Sequence, residues 1–155
     1  ALAMKNKFYF FLLIICIGAP FNLTADEKIN FLSLKKNKVN VRQGPSFDYP
    51  IKFIYKKKYL PVAIIDKSES WRKTKDHKNN LGWIHISQLS KNKSAINIKN
   101  NTILYKKPTI YSKPIAKMES GRLLIIKKCK NVWCKVESEN YIGWVDKSNL
   151  WGKFN

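Results

Sequence analysis

A short series of motifs occurs twice along this chain. It first runs Val39-Asn40-Val41-Arg42-Gln43-Gly44-Pro45, Tyr49-Pro50-Ile51, Tyr59-Leu60-Pro61-Val62, Trp71-Arg72-Lys73-Thr74 and Gly82-Trp83-Ile84. About 60 residues later the same order returns, more loosely. The second series is Thr102-Ile103-Leu104-Tyr105-Lys106-Lys107-Pro108, Lys113-Pro114-Ile115, Leu123-Leu124-Ile125-Ile126, Trp133-Cys134-Lys135-Val136 and Gly143-Trp144-Val145. A chain of 155 residues built this way folds as two small copies, each with a modest core, rather than around one large one. The stretch 88–101 is polar at both ends and makes the natural joint, which puts the copies at 31–90 and 95–152.

Neither copy carries an apolar stripe at 3.6-residue spacing long enough for a helix, whereas short apolar runs alternate with turn residues. The dense runs 60–65 and 123–126 read as central strands buried on both faces. The segments 66–70 and 76–80 read as polar loops, the second placing His77 in solvent. Strands this short cannot fill a sandwich, and closing them into a barrel also limits exposed edges. The expected fold is therefore all-β, two small β-barrels in tandem.

Ahead of the copies lies Met4-Lys5-Asn6-Lys7 and then the apolar run 8–18. That run falls short of the ~20 residues a spanning helix needs. With Leu23-Thr24-Ala25 after it, residues 1–25 read as a secretory signal peptide cleaved after Ala25. Cys16 follows the bulky Ile15, where lipid attachment requires a small residue, and an uncleaved signal anchor is the other reading. Each places the protein in the periplasm or otherwise outside the cytoplasm, with membrane contact only through this segment. Lys and Arg number 30 against 10 Asp and Glu, a formal charge of +20. Such a charge attracts polyanions, although the joint abundance of Lys, Asn and Ile equally fits AT-rich codon usage. Export leaves nucleic acid an unexpected partner.

Cys129 and Cys134 are separated by Lys130-Asn131-Val132-Trp133. With Lys130 and Trp133 flanking a two-residue turn, the cysteines face each other across a hairpin within disulfide reach, and export permits the bond. A reduced redox pair or metal half-site is the other reading; with no His or Cys nearby the metal set is poor, and no metal or cofactor is expected. Catalytic groupings are equally thin. His77 and His85 sit in the copy without the cysteines, the carboxylates are scattered, and there is no phosphate loop or nucleophile elbow. The chain reads as a non-enzyme.

Val39-Asn40-Val41-Arg42-x-Gly44-Pro45-Ser46, followed by a Pro, a buried strand, a Trp and Gly82-Trp83-Ile84, resembles the bacterial SH3-like (SH3b) domain. The ordered pair, its second copy with Cys-x4-Cys and ending Asn149-Leu150-Trp151-Gly152, is similar to exported tandem SH3b proteins of alphaproteobacteria. In the second copy Tyr105-Lys106-Lys107 stands where Arg42-Gln43-Gly44 does, a departure in the first loop. Gly82 and Gly143 suit close backbone approach, and Trp83 and Trp144 read as half-buried barrel aromatics. The resemblance implies a cell-wall or peptide-binding module, with peptidoglycan or an associated peptide as ligand. A protein-interaction adaptor in the envelope and a basic polyanion binder are the alternatives.

It also implies a concave surface between the long first loop and the later hairpin. There the first copy offers Phe47, Tyr49 and Trp71, with Arg42 at the loop's base, where it serves the loop carbonyls ahead of a ligand. Aligning Pro50 with Pro114 pairs Phe47 with Tyr111 and Tyr49 with Lys113, so the second copy lacks a ring. The spacing of Ile65 and Trp71 against that of Cys129 and Trp133 suggests a longer hairpin loop in the first copy, making it the better cleft.

Overall fold

A computed structural model describes residues 28–154. The signal segment 1–25, Cys16 included, lies outside the described residues. The first unit comprises β1 (Asn30–Leu34), β2 (Val39–Arg42), β3 (Ile51–Tyr55), β4 (Pro61–Ser68), β5 (Trp71–Lys75), β6 (Leu81–His85) and β7 (Leu89–Ser90). The second comprises β8 (Ser94–Asn97), β9 (Thr102–Tyr105), β10 (Pro114–Met118), β11 (Leu123–Lys130), β12 (Trp133–Ser138), β13 (Tyr141–Asp146) and β14 (Leu150–Gly152). Each unit is one seven-stranded sheet, in the orders β3-β2-β6-β5-β4-β1-β7 and β10-β9-β13-β12-β11-β8-β14. A 3-10 turn precedes the last strand of each, at Ile86–Gln88 and Lys147–Asn149. The order is the same in both, so the repeat in the sequence is a repeat in topology.

Alternation explains the curling. Val39 and Val41 are wholly buried while Asn40 is exposed, so β2 gives one face to the core. The first core gathers Leu34, Val39, Val41, Leu60, Val62, Ile84 and Leu89. The second gathers Ala95, Leu104, Met118, Leu124, Ile126, Val136, Val145 and Leu150 around Cys134. At Gly82 a Cβ would stand 2.2 Å from Val41 Cγ1, and at Gly143 2.7 Å from the Tyr105 carbonyl oxygen. Both glycines let β2 or β9 cross its neighbour closely enough to close the sheet.

Two expectations about the long strands are corrected. The run 60–65 is buried only through Ala63; Ile64 is half-buried and Ile65 exposed. In the second unit Leu124 and Ile126 are buried, but Leu123 and Ile125 only in part. Leu123 and Ile125 alternate with the buried Leu124 and Ile126, while a register shift between Ile64 and Asp66, matched between Ile126 and Lys128, leaves Ile65 unpaired and begins the exposed end of each strand. Residues 66–68 accordingly belong to β4, and the turn shrinks to Glu69-Ser70, with Glu69 at φ +47°. Asn131-Val132 turns β11 into β12 likewise, with Asn131 at φ +53°. The two hairpins are equally long, so the first copy has no longer loop here. A length difference falls instead in the turn after β5.

Across the second hairpin Cys129 faces Cys134, and the two are joined in a disulfide. Lys67 and Arg72 occupy the same place in the first unit. Arg72 turns its guanidinium back to the Glu69 and Trp71 carbonyls, at 2.8 Å each.

The turn after β5 is organised by Asp76, which is buried at 4% exposure. Its Oδ1 accepts the Lys78 and Asn80 N–H groups and its Oδ2 the Tyr55 hydroxyl and the Asn80 side-chain amide, all at 2.9 Å. Burial by itself would raise the carboxyl, but these hydrogen bonds, Asn80's first, hold it below the usual carboxylate range. Burial, reinforced by Asp76, pushes the Tyr55 phenol up. His77 is only partly solvated, where its loop setting suggested full exposure: the residue is half-buried, its Nδ1 is enclosed without a partner and its ring lies 6.2 Å from Trp151. Burial pushes this imidazole down, with Asp76 opposing and Lys78 adding to the shift.

That Trp151 belongs to the other unit. Its indole meets Phe31 of β1 edge-on, with centroids 4.9 Å apart, while Ile96 of β8 is buried within the first unit's core and Leu123 packs against it. The joint between copies is therefore a packed apolar contact.

Two outcomes follow. Peptide mapping without reduction should recover Cys129 linked to Cys134, and Cys129→Ser with Cys134→Ser should speed amide exchange in the second unit more than in the first. The loss should sit toward the low side of the typical ~2–4 kcal/mol, because the closed loop is short. Asp76→Asn should cost about 1–3 kcal/mol near neutral pH by breaking this network. The Asp76 contribution is fully present above the unfolded carboxyl value of about 3.9 and is lost as pH falls through the lower folded value. Urea unfolding should show wild type and variant converging in acid.

Candidate functional site

A cleft opens on the first unit between the long first loop and the β4–β5 hairpin. Lys38, Asn40 and Arg42 line it from one side, Phe47 from the loop, Trp71 and His85 from the floor, and Gln88 from the 3-10 turn. The same alternation that sends Val39 and Val41 inward sends Lys38, Asn40 and Arg42 outward on one face. Strand register sets Trp71 directly opposite His85, so their side chains share a face. Phe47 comes down between them, its centroid 4.9 Å from that of Trp71 and 5.3 Å from that of His85, while Trp71 and His85 lie 5.2 Å apart.

The three aromatic groups divide the work by exposure. Trp71 is 7% exposed and is a packing residue, whereas Phe47 is 66% exposed and presents its ring to solvent. Arg42 Nη1 donates to the Phe47 carbonyl at 3.1 Å and to the Tyr49 carbonyl at 2.7 Å, while its guanidinium carbon lies 5.5 Å from the Phe47 centroid. It thus pins the loop that carries the exposed ring and keeps a positive charge beside it. His85 Nδ1 shares a hydrogen bond with Ser87 Oγ at 2.8 Å and accepts the Ser87 N–H at 3.3 Å, capping the 3-10 turn. Lys38, Arg42 and His85 rim the cleft, and among the described residues no carboxylate lines it.

Of the residues singled out from sequence, Arg42, Phe47 and Trp71 are brought together here. Tyr49 is not: its ring lies over Gly44, so that a Cβ there would come within 2.6 Å of it. Sequence reasoning missed Lys38, Asn40, His85 and Gln88. His85 was legible in principle, because a strand ending at Trp71's opposite number must place that side chain beside the indole. Trp83 is half-buried on the neighbouring strand as expected, while Trp144 is buried at 9% exposure.

The second unit repeats the cleft with other side chains. Asn101, Ile103 and Tyr105 take the places of Lys38, Asn40 and Arg42; Trp133, Asp146 and Asn149 take those of Trp71, His85 and Gln88. Ile110, not Tyr111, occupies the position of Phe47, and Tyr111 stands 92% exposed outside the cleft. The pairing of Phe47 with Tyr111 is corrected accordingly: the first loops are equally long, with Arg42 paired to Ile51 and Tyr105 to Pro114, so Pro114 is the counterpart of Ile51 and not of Pro50, and aligning the two prolines displaces the loop by one residue.

The family model described as Bacterial SH3 domain matches residues 35–91 and again 99–152. No curated protein sequence matches the chain. Among solved structures, NlpC2 from Trichomonas vaginalis is similar at a TM-score of 0.38 and 13% identity, over 83% of this chain and 50% of that one. NlpC1 from the same organism gives 0.36 and 14%, over 81% and 46%. An NlpC/P60 family protein from Bacillus cereus gives 0.36 and 13%, over 79% and 56%. The chain spans about half the length of these structures.

The difference in exposure between the two rings makes a measurable distinction. Trp71→Ala should cost about 3–5 kcal/mol, as for a large buried aromatic. Phe47→Ala should cost only about 0.5–1.5 kcal/mol, the worth of its edge contact with Trp71. Urea denaturation of the two single variants checks both.

Proposed function

The chain belongs to the bacterial SH3 domain family, and from that premise we propose that it is a non-catalytic binding module of the cell envelope. Its first-unit cleft takes peptidoglycan or a peptide associated with it. One observation carries the reading: a solvent-facing ring, Phe47, is backed by two buried or half-buried rings and flanked by the cations Lys38 and Arg42.

The physics suits a peptide or glycan bearing carboxylates. An exposed aromatic held rigidly from behind offers contact area at little entropic cost, because Arg42 has already fixed the loop. The amides of Asn40 and Gln88 provide both donors and acceptors along the walls. Lys38 and Arg42 then favour a ligand with a negative group over its neutral or cationic counterpart. Residence in the periplasm or beyond belongs to the same proposal and rests on the N-terminal segment.

Co-sedimentation with purified sacculi across a salt series tests the reading. The wild-type chain should pellet with sacculi, and Phe47→Ala should weaken capture about tenfold while remaining folded, as expected for a central aromatic contact. An envelope adaptor would leave the sacculi in the supernatant and recover a protein partner instead. A simple polyanion binder would release steeply with salt and ignore the loss of Phe47.

A further inference from the structure

The second cleft differs from the first in a consistent direction. Arg42 is replaced by Tyr105, Lys38 by Asn101, Asn40 by Ile103 and His85 by Asp146. Each change removes positive charge, adds apolar surface or adds negative charge. A chain with 30 Lys and Arg against 10 Asp and Glu would drift the other way if composition alone were acting.

We propose that the cleft of the second unit, bounded by Trp133, Tyr105, Ile110 and Asp146, binds a primary alkylammonium, the side-chain amine of a lysine or other diamino acid.

The register of β12 and β13 places Asp146 directly opposite Trp133, on the same face. Tyr105 meets Trp133 edge-on, with centroids 5.8 Å apart and planes at 87°. Two rings at right angles beside a carboxylate offer an ammonium both a π-face and a charged acceptor. Asp146 is held rather than mobile, because its Oδ1 accepts the Ser148 N–H at 2.8 Å and caps the 3-10 turn. It also has no cation of its own. Among the described residues the ion pairs are Arg122 with Glu139 and Lys127 with Glu137, and Lys99 lines the cleft without joining Asp146. A carboxylate left unpaired amid so many lysines is available to an incoming one. Nearby, the Lys128 ammonium already stands 5.7 Å from the Trp144 centroid, an ammonium-on-indole contact supplied by the chain itself. The cleft, of about 270 Å³ and open to solvent, has room for a single long side chain.

The site does not depend on what the first cleft takes, and its test uses no sacculi. The full chain, labelled with nitrogen-15, is titrated with Nα-acetyl-lysine amide and with Nα-acetyl-norleucine amide, which has a similar apolar chain but no amine. The lysine derivative should shift the Trp133 indole N–H resonance saturably, and the norleucine derivative should leave it in place. Asp146→Asn preserves an oxygen for the Ser148 N–H and so the fold, yet should weaken the lysine derivative about tenfold through loss of the charged acceptor. Lys99→Ala should tighten it by removing a competing cation. Equal shifts from both derivatives, an Asp146→Asn variant that binds like the wild type, or shifts confined to Trp71 and its neighbours would each overturn the proposal.

Discussion

Ile96 lies in a strand of the second sheet but is buried, at 1% exposure, in the core of the first. Units of this size bury too little of their own surface to be comfortably stable alone, and a shared side chain lets each draw on the other. Phe31 and Trp151 extend the same contact from β1 and β14, and His77 closes against Trp151 from the turn after β5. Ile96 is flanked by Ala95, which belongs to the second core, so a single short strand faces both. The joint is thus part of both folding units, and it fixes where the two clefts stand on one body.

The same scaffold carries two different clefts because closure and chemistry use opposite faces of the same strands. In β2 and β9 the inward residues Val39, Val41 and Leu104 are wholly buried and hold the barrel together. The outward residues between them touch no core, so Arg42 can become Tyr105 without a packing cost. Stabilising devices diverged in the same way. The second unit replaces the core position of Leu34 with Asn97, fully buried, whose amide donates to the Lys99 and Glu119 carbonyls and accepts from the Thr102 hydroxyl, all at 2.9 Å. It adds the Cys129–Cys134 bond where the first unit has Lys67 and Arg72. The first unit instead builds the Asp76 network, where the second has Ser138.

The fold was legible because a twofold repeat of short alternating runs leaves few architectures, and the hairpin spacing of the two cysteines allowed their pairing to be read directly. The bulges after Ile64 and Ile126 were not legible. Nothing in Ile64-Ile65-Asp66 marks the point where a strand leaves the core, and so an exposed part of β4 read as a loop. The site was half legible. Arg42, Phe47 and Trp71 are close to motif residues, whereas His85 and Lys38 reach the cleft only through cross-strand register. Tyr49 was misplaced because a turn around Gly44 folds its ring back onto the backbone, a matter of loop geometry that residue type does not convey.

Both clefts are open and shallow, of about 320 and 270 Å³, so neither encloses a ligand well enough for tight binding alone. Their strength would come from being joined. Two weak sites on one body act on a repeating or two-ended ligand as an intramolecular pair, with an effective concentration set by the spacing between them. A flexible linker would spread that spacing over many values, but the junction of Ile96, Phe31 and Trp151 holds it near one. The difference in charge between the clefts, cationic in the first and balanced between Lys99 and Asp146 in the second, adds direction. On the two proposed assignments, a ligand carrying a carboxylate at one end and an ammonium at the other would satisfy both sites in one orientation and neither in the reverse, so the pairing of copies would select polarity as well as composition.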